Sequence, residues 1–270
     1  MPRRIDYHNH TKLCRHAIGE MEDYIEVALS KKLEEFGFSD HIPMIYLPRD
    51  SILQDYCMRE EELPLYVTRV KELQERFTNI VIKLGIEADW YQGKEKEITE
   101  ILNRFPFDYV YGSVHLVDDC AIDDERVRQK LLQKYEIFEI YSLYFIEIKK
   151  AIQSGLFDII AHLDLPKKYG DLPKRSISEQ IDEVIEALAK NKVCIEFNTG
   201  GFRKPIKEQY PSLKILEACY ENDIQVTLGS DSHRPDEVGW EIDRALKMLQ
   251  EIGYTQIVGF ENRKLIFFEI

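Results

Sequence analysis

The chain has 270 residues, with 36 Lys or Arg against 49 Asp or Glu, so its formal net charge is −13 at pH 7. An acidic chain without a basic run is a poor non-specific binder of nucleic acid, and no stretch approaches the roughly 20 apolar residues of a membrane helix. The five cysteines form no CxxC pair and no apolar signal segment follows the first residues, so we expect free thiols and a cytoplasmic location.

Short apolar runs, rich in β-branched residues, predict eight strands, at 4–8, 35–39, 81–87, 109–114, 158–162, 193–198, 225–229 and 265–268. Longer amphipathic segments lie between them. The clearest predicts a helix over 176–190, where Ser176 and Glu179 match a capping box. The segments 125–154 and 237–252 predict one helix each.

Seven strand-then-helix units follow one another without a linker or a low-complexity stretch. This order predicts one α/β domain over residues 1–270, folded as a (β/α)7 barrel related to the TIM barrel. An open, doubly wound sheet is the alternative. However, the chain has neither a GxGxxG after its first strand nor a P-loop.

All seven histidines lie at, or just after, the carboxyl ends of predicted strands. In a barrel these ends meet at one rim, where such folds hold their active sites. His8 and His10 are two residues apart, so an extended backbone points both imidazoles to the same side. Glu87 and Asp231 follow two further predicted strands. Because imidazole and carboxylate ligands together suit Zn, Fe or Mn, the pattern predicts a metal site.

Six segments carry a family pattern: Asp6-Tyr-His-Asn-His-Thr11, Ser39-Asp-His41, Gly85-Ile-Glu-Ala88, Gly112-Ser-Val-His115, Ala161-His162 and Gly229-Ser-Asp-Ser-His233. In this order they resemble the PHP (polymerase and histidinol phosphatase) superfamily. The resemblance implies a distorted (β/α)7 barrel with up to three metal ions at its carboxyl-terminal rim. It places the metal ligands at His8, His10, His16, His41, Glu87, His115, His162, Asp231 and His233.

The resemblance also implies how three divalent ions, Zn, Fe or Mn, are shared. The groups are His8, His10, Glu87 and Asp231 for the first ion, Glu87, His115 and His162 for the second, and His16, His41 and His233 for the third. Glu87 would bridge two ions, because a carboxylate has two oxygens. Within the superfamily the chain is most similar to monofunctional histidinol-phosphatases, in the segments 14–17, 38–43, 162–168 and 198–205.

That similarity implies hydrolysis of L-histidinol phosphate by a hydroxide that two ions share. Asp231 or a metal-bound water would protonate the leaving alkoxide. Arg203 is the main candidate for gripping the phosphoryl oxygens, and Lys168 and Arg15 are further candidates. Loop residues that could contact the ammonium and imidazole groups of the substrate are Glu20, Asp40 and Tyr169.

Other functions fit parts of the pattern. A PHP phosphoesterase acting on nucleotides or phosphotyrosine would use the same metals, although the acidic charge argues against nucleic acid. A catalytically silent barrel should lack several ligands, and none is missing. An amidohydrolase would bring a bridging lysine and an eighth strand. We expect a small phosphate monoester as the partner and no membrane, while the oligomeric state stays open.

Overall fold

A computed structural model describes residues 2–270 and shows seven parallel strands arranged as a barrel. The strands are β1 (Ile5–Asp6), β2 (Glu35–Phe38), β3 (Val81–Asp89), β4 (Tyr109–Ser113), β5 (Ile159–Ile160), β6 (Cys194–Asn198) and β7 (Val226–Gly229). Each strand pairs with the next one along the chain. The predicted (β/α)7 architecture is therefore confirmed.

The ring closes because the chain around β1 meets the chain around β7 through backbone hydrogen bonds. The Tyr7 N–H donates to the Leu228 carbonyl at 3.0 Å. Further along, the His10 N–H donates to the Ser232 carbonyl at 2.9 Å, and the Ser232 N–H donates to the His8 carbonyl at 3.2 Å. The alternative of an open sheet is therefore wrong, and the histidines after β1 lie beside the residues that follow β7.

Eight α-helices are found within residues 2–270: α1 (Met21–Ser30), α2 (Leu63–Arg76), α3 (Glu95–Leu102), α4 (Glu125–Lys134), α5 (Ile137–Gln153), α6 (Ser178–Asn191), α7 (Leu213–Glu221) and α8 (Ile242–Ile252). All but α4, which buries only Leu131, bury several apolar residues along one face, as amphipathic helices around a sheet do. Among these helices, none is both long and apolar enough to span a bilayer. The five cysteines are free thiols, as predicted.

The prediction of one helix over 125–154 is wrong, because the structure has two helices there. Tyr135 adopts an extended backbone, with φ −129° and ψ 145°, and so ends α4. The Glu139 carboxylate then accepts a hydrogen bond from the Glu136 N–H at 2.8 Å. This contact caps the start of α5, so the second helix begins with its own N-terminal signal.

Two predicted helix starts are also displaced. The Ser176 Oγ accepts a hydrogen bond from the Ser178 N–H at 3.2 Å, in a turn that precedes α6, so the predicted capping box with Glu179 does not form. The last helix starts at Ile242 instead of 237, because Glu241 has a left-handed backbone with φ 54°. In both cases the residues that were predicted to form the first turn of the helix lie in a separate turn before it.

An antiparallel hairpin, β8 (Gln256–Glu261) and β9 (Lys264–Glu269), covers the amino-terminal end of the barrel. It contains the predicted strand at 265–268. The Phe260 ring lies 6.2 Å from the ring of Tyr109, which fills the barrel interior. The Arg263 guanidinium bonds to Asp158, just before β5, at 2.8 Å. The opposite, carboxyl-terminal end of the barrel is therefore the end that can hold a site.

Candidate metal centre

Glu87, on β3, lies at the centre of a buried cluster at the carboxyl-terminal rim. Its Oε2 lies 3.3 Å from His8 Nε2 and 3.4 Å from His10 Nε2. The same oxygen lies 3.1 Å from His41 Nδ1. Its other oxygen, Oε1, lies 3.3 Å from His162 Nε2. Residues from the loops after three other strands, β1, β2 and β5, therefore converge on one carboxylate.

The donor atoms fall into groups small enough to surround one ion each. In three groups that match the predicted ligands, all donor atoms lie within 4.8 Å of one another: His8, His10 and Glu87; Glu87, His115 and His162; and His16, His41 and His233. A fourth group, His10, Cys14 and His233, meets the same distance and shares its histidines with the first and third. Asp231 Oδ1 joins the first group, 3.4 Å from His10 Nε2 and 3.9 Å from His8 Nε2. Glu87 belongs to two groups, which is the arrangement a bridging carboxylate requires.

Several donor atoms of this cluster are buried and make no hydrogen bond within residues 2–270: His8 Nε2, His41 Nδ1, Glu87 Oε2 and His233 Nε2. A buried polar atom left without a partner costs about 1–3 kcal/mol. A divalent cation satisfies imidazole nitrogens and carboxylate oxygens together. The donor set therefore fits Zn, Fe or Mn better than Ca or Mg, which prefer oxygen ligands.

Two residues of the cluster have left-handed backbones, which are uncommon for residues other than glycine. His162 has φ 26° and Asp231 has φ 53°. Each follows the last residues of a barrel strand, so the sharp turn directs the side chain back over the rim. Such strained positions concentrate at functional sites.

Outer carboxylates orient the histidines, and the sequence analysis missed them. Glu196 Oε1 lies 2.7 Å from His8 Nδ1, and its Oε2 accepts the His162 N–H at 3.0 Å. Asp89 Oδ1 lies 2.7 Å from His115 Nδ1. Carboxylates in this position fix the tautomer and the ring orientation of metal-binding histidines. Both residues could have been found from the sequence. Glu196 is an acidic residue inside a predicted strand, and Asp89 lies two residues after Glu87.

The charges in the cluster keep its carboxylates ionised. Burial acts to raise the pKa of Glu87, but His41 and His8 lower it well below its usual range. The pKa of Asp231 behaves in the same way, because His8 and His10 outweigh burial. At neutral pH both side chains are therefore anions, the form that binds a cation.

A cavity of about 400 Å³ opens above the cluster. Two lysines, Lys168 and Lys204, and the acidic residue Asp123 line its wall. Apolar and aromatic residues complete the wall: Met44, Leu53, Tyr56, Leu165 and Tyr210. The cavity thus combines buried imidazoles and carboxylates at its base with cationic side chains and an apolar face on its wall. Of these residues, Lys168 was predicted, whereas Lys204 was not.

The main phosphate candidate, Arg203, is not among the residues that line this cavity. Its guanidinium donates to the Ser230 carbonyl at 2.8 Å and to the Asp231 carbonyl at 2.9 Å, and so braces the turn that carries Asp231. Arg15 also lies outside the cavity, where it pairs with Glu62. Arg203 Nη1 makes no hydrogen bond within residues 2–270, so the phosphate-binding role of Arg203 stays a prediction.

The three residues suggested as contacts for the substrate's ammonium and imidazole groups do not line the cavity either. Asp40 is fully buried and accepts the His41 N–H at 2.8 Å. Glu20 pairs with Lys12 at 2.7 Å on the surface. The Tyr169 hydroxyl donates to the Asp123 carbonyl at 2.6 Å. Each of these side chains is therefore paired with another group of the protein.

A parallel barrel with imidazoles and carboxylates buried together at its carboxyl-terminal rim defines a metal-binding α/β barrel. Residues 6–200 match the model of the PHP domain. Since this match spans more than half of the chain, the protein belongs to the PHP domain family.

Relatives match over nearly the whole length. The chain is 36% identical over 263 residues to a probable histidinol-phosphatase of Deinococcus radiodurans, covering 96% of this chain and 97% of the relative. It is 27% identical over 271 residues to a histidinol-phosphatase of Lactococcus lactis, covering 97% and 96%. The crystal structure of a Lactococcus lactis histidinol phosphate phosphatase, complexed with Zn, L-histidinol and phosphate, has a TM-score of 0.84 at 26% identity, covering 98% of this chain and 99% of that one.

Proposed function

We propose that this protein is a metal-dependent phosphomonoesterase that hydrolyses L-histidinol phosphate to L-histidinol and phosphate. The observation that carries the proposal is the group of buried imidazoles and carboxylates around Glu87, directly beneath a cavity lined by two lysines. Relatives that match nearly the full chain include a probable histidinol-phosphatase and a histidinol-phosphatase. Because the five thiols are free, we place the activity in a reducing compartment, the cytoplasm.

Three divalent ions, Zn, Fe or Mn, are proposed to occupy the three donor groups. The proposed ligands are His8, His10, Glu87 and Asp231; Glu87, His115 and His162; and His16, His41 and His233. When bound, such ions supply positive charge and lower the pKa of a water toward neutrality, which provides the nucleophile. Glu87 is shared by the first two of these groups, so its two carboxylate oxygens would link their ions.

The phosphate group is proposed to contact Lys168 and Lys204. The Lys168 Nζ donates to the Asp123 carbonyl at 2.8 Å, which fixes the ammonium in the cavity wall. Lys204 reaches the same cavity from the loop after β6. Fixed positive charges stabilise the negative charge that develops on the phosphoryl oxygens during in-line displacement.

Asp231 is the group proposed to carry a proton to the leaving alkoxide. Because its pKa lies well below the usual range, the carboxylate is ionised before the reaction. A carboxylate with so low a pKa is a weak base, so Asp231 would hold the proton released by the attacking water only transiently before the leaving oxygen takes it, and a metal-bound water is the other candidate donor.

Removal and return of the metal tests this proposal. Treatment with dipicolinate should abolish hydrolysis of L-histidinol phosphate, and added Zn, Mn or Fe should restore it. Elemental analysis of untreated protein should give up to three ions per chain, whereas a silent barrel would contain almost none.

A comparison of substrates tests the substrate assignment. The kcat/KM for L-histidinol phosphate should be at least about 100-fold higher than the kcat/KM for AMP or for a phosphotyrosine peptide, because buried polar groups discriminate between substrates. Equal or higher values for either rival would contradict the substrate assignment.

A further inference from the structure

One carboxylate in the cavity wall has no role in the proposed metal centre. The hairpin formed by Leu116–Val117 and Cys120–Ala121 leads directly into Asp123. The Lys168 Nζ lies 3.1 Å from Asp123 Oδ2. Asp123 Oδ1 makes no hydrogen bond within residues 2–270, and the side chain, which is 26% exposed, lines the cavity. This oxygen is therefore open to a ligand.

An anion in this position is unfavourable for a cavity that binds phosphate alone, because like charges repel at close range. Asp123 is nevertheless an anion at neutral pH. Burial acts to raise its pKa, but Lys168 and His115 lower it below the usual range. The cavity thus presents a negative group next to a lysine that is proposed to contact the phosphate. A ligand that carries both a phosphate and a cation matches this pair of charges.

We propose that Asp123 determines substrate specificity by binding a primary ammonium group on the carbon next to the phosphate ester. This inference rests on the proposed function and names the recognition element of the same site. In L-histidinol phosphate the amine and the ester oxygen are on neighbouring carbons. Lys168 and Asp123 present the opposite charges side by side, so one substrate can pair with both.

The neighbouring carboxylate cannot take this role. Asp124 also lines the cavity, but its Oδ2 accepts the Tyr56 hydroxyl at 2.7 Å. Its Oδ1 accepts the Arg126 N–H at 2.8 Å and so caps the start of α4. Both oxygens are therefore engaged. The remaining cavity carboxylates within residues 2–270, Glu87 and Asp231, belong to the proposed metal ligands.

The test compares two esters that differ only in the amine. L-histidinol phosphate and 3-(imidazol-4-yl)propyl phosphate are assayed with the wild type and with Asp123→Asn. The asparagine keeps an oxygen for Lys168 but loses the negative charge. We expect kcat/KM for the amine ester to fall about 100-fold, mainly through KM, since a charged hydrogen bond is lost. The amine-free ester should stay within about 3-fold of the wild type, because it never used the charge.

Asp118→Asn is the matched control. Asp118 pairs with Lys134 on the outside of the same region, so neither ester should change. Zinc content and inhibition by inorganic phosphate should remain those of the wild type in both variants. If Asp123→Asn does not fold, Asp123→Ser is used in the same comparison.

An equal loss with both esters would show that Asp123 acts only by holding Lys168, and would overturn the inference. An unchanged preference for the amine ester would overturn it as well. The proposed function fails separately, if the wild type itself does not prefer L-histidinol phosphate to AMP and the phosphotyrosine peptide. The two failures are therefore distinguishable.

Discussion

The two ends of the barrel differ in how far their buried polar groups are satisfied, although Arg3 Nε, in the side chain that stacks on Phe268 of the hairpin, also has no hydrogen-bond partner in residues 2–270. At the amino-terminal end, beneath the β8–β9 hairpin, the Tyr109 hydroxyl donates to the Tyr7 carbonyl at 2.6 Å. The Arg263 guanidinium pairs there with Asp158 at 2.8 Å. At the carboxyl-terminal rim, by contrast, His8 Nε2 and Glu87 Oε2 are buried without a hydrogen-bond partner in residues 2–270.

The same strands supply both ends, so the difference does not come from the fold class. Paired groups at one end contribute to a stable, closed barrel. Unpaired groups at the other end lower stability until a ligand satisfies them, which is a cost that functional sites commonly carry. Substitutions at the rim should therefore change metal content and activity, whereas substitutions at the hairpin end should change the free energy of unfolding.

Glu87→Ala should have the largest effect. It removes the carboxylate shared by two donor groups, so we expect the loss of two ions and of nearly all activity. The decrease in kcat/KM should exceed the about 100-fold typical of losing an outer partner of a metal ligand. Elemental analysis and steady-state kinetics measure both effects, with the surface variant Glu97→Ala as the control. Full turnover in Glu87→Ala would disprove the bridging role.

Lys204→Met and Lys168→Met should each lower kcat/KM for L-histidinol phosphate by about 10²–10³-fold, because a fixed charge facing the phosphoryl oxygens is lost. The metal content should not change, which separates this effect from that of Glu87→Ala. Lys174→Met, at an exposed lysine of a nearby loop, serves as the control. A parallel loss of metal would show that the lysines support the cluster instead of the phosphate.

Glu196→Gln should have a smaller effect, on metal affinity. The variant keeps the size of the side chain but weakens the contact with His8 Nδ1, so zinc should bind about 10–100-fold more weakly. Titration against a competing chelator measures the affinity. At saturating zinc the turnover should return toward that of the wild type, and a permanent loss would point to a direct role in the reaction.

Gly259→Ala tests the hairpin end of the barrel and should have the smallest effect on activity. A Cβ at this position would lie 2.5 Å from the Tyr7 hydroxyl, so the core must shift. Overpacking of this kind costs about 1–3 kcal/mol of unfolding free energy. Urea unfolding should show this loss while kcat at 25 °C stays unchanged. A large fall in kcat would contradict the separation of the two ends.

The sequence predicts the barrel well because its strands are short, apolar runs with clear boundaries. The prediction for the third strand, 81–87, stops two residues before the observed end at Asp89. Aspartate is rare in strands, and here pairing with Ser113 keeps the backbone extended. The break at Tyr135 was also missed, since neither Tyr nor Glu is a helix breaker and the turn depends on local capping.

The proposed metal ligands could be chosen from the sequence because they lie in segments that match the family pattern, most of them at or just after strand ends. Loop residues outside those segments could not be placed in this way. Arg203 and Lys204 are adjacent in the chain, yet only Lys204 lines the cavity, because Arg203 is drawn to two backbone carbonyls of the 230–231 turn. Asp123 was missed for the same reason: the hairpin before it sets its direction, and no periodic pattern encodes that direction.

The closure of the barrel between its first and last strands has a consequence for the order of events during synthesis. His8 leaves the ribosome more than 200 residues before Asp231 and His233. Until the seventh strand has emerged, a nascent chain lacks Asp231 and His233, so the first and third proposed donor groups are incomplete, whereas the residues of the second are already present. The full proposed metal centre therefore forms only when the last strand closes the ring beside the first.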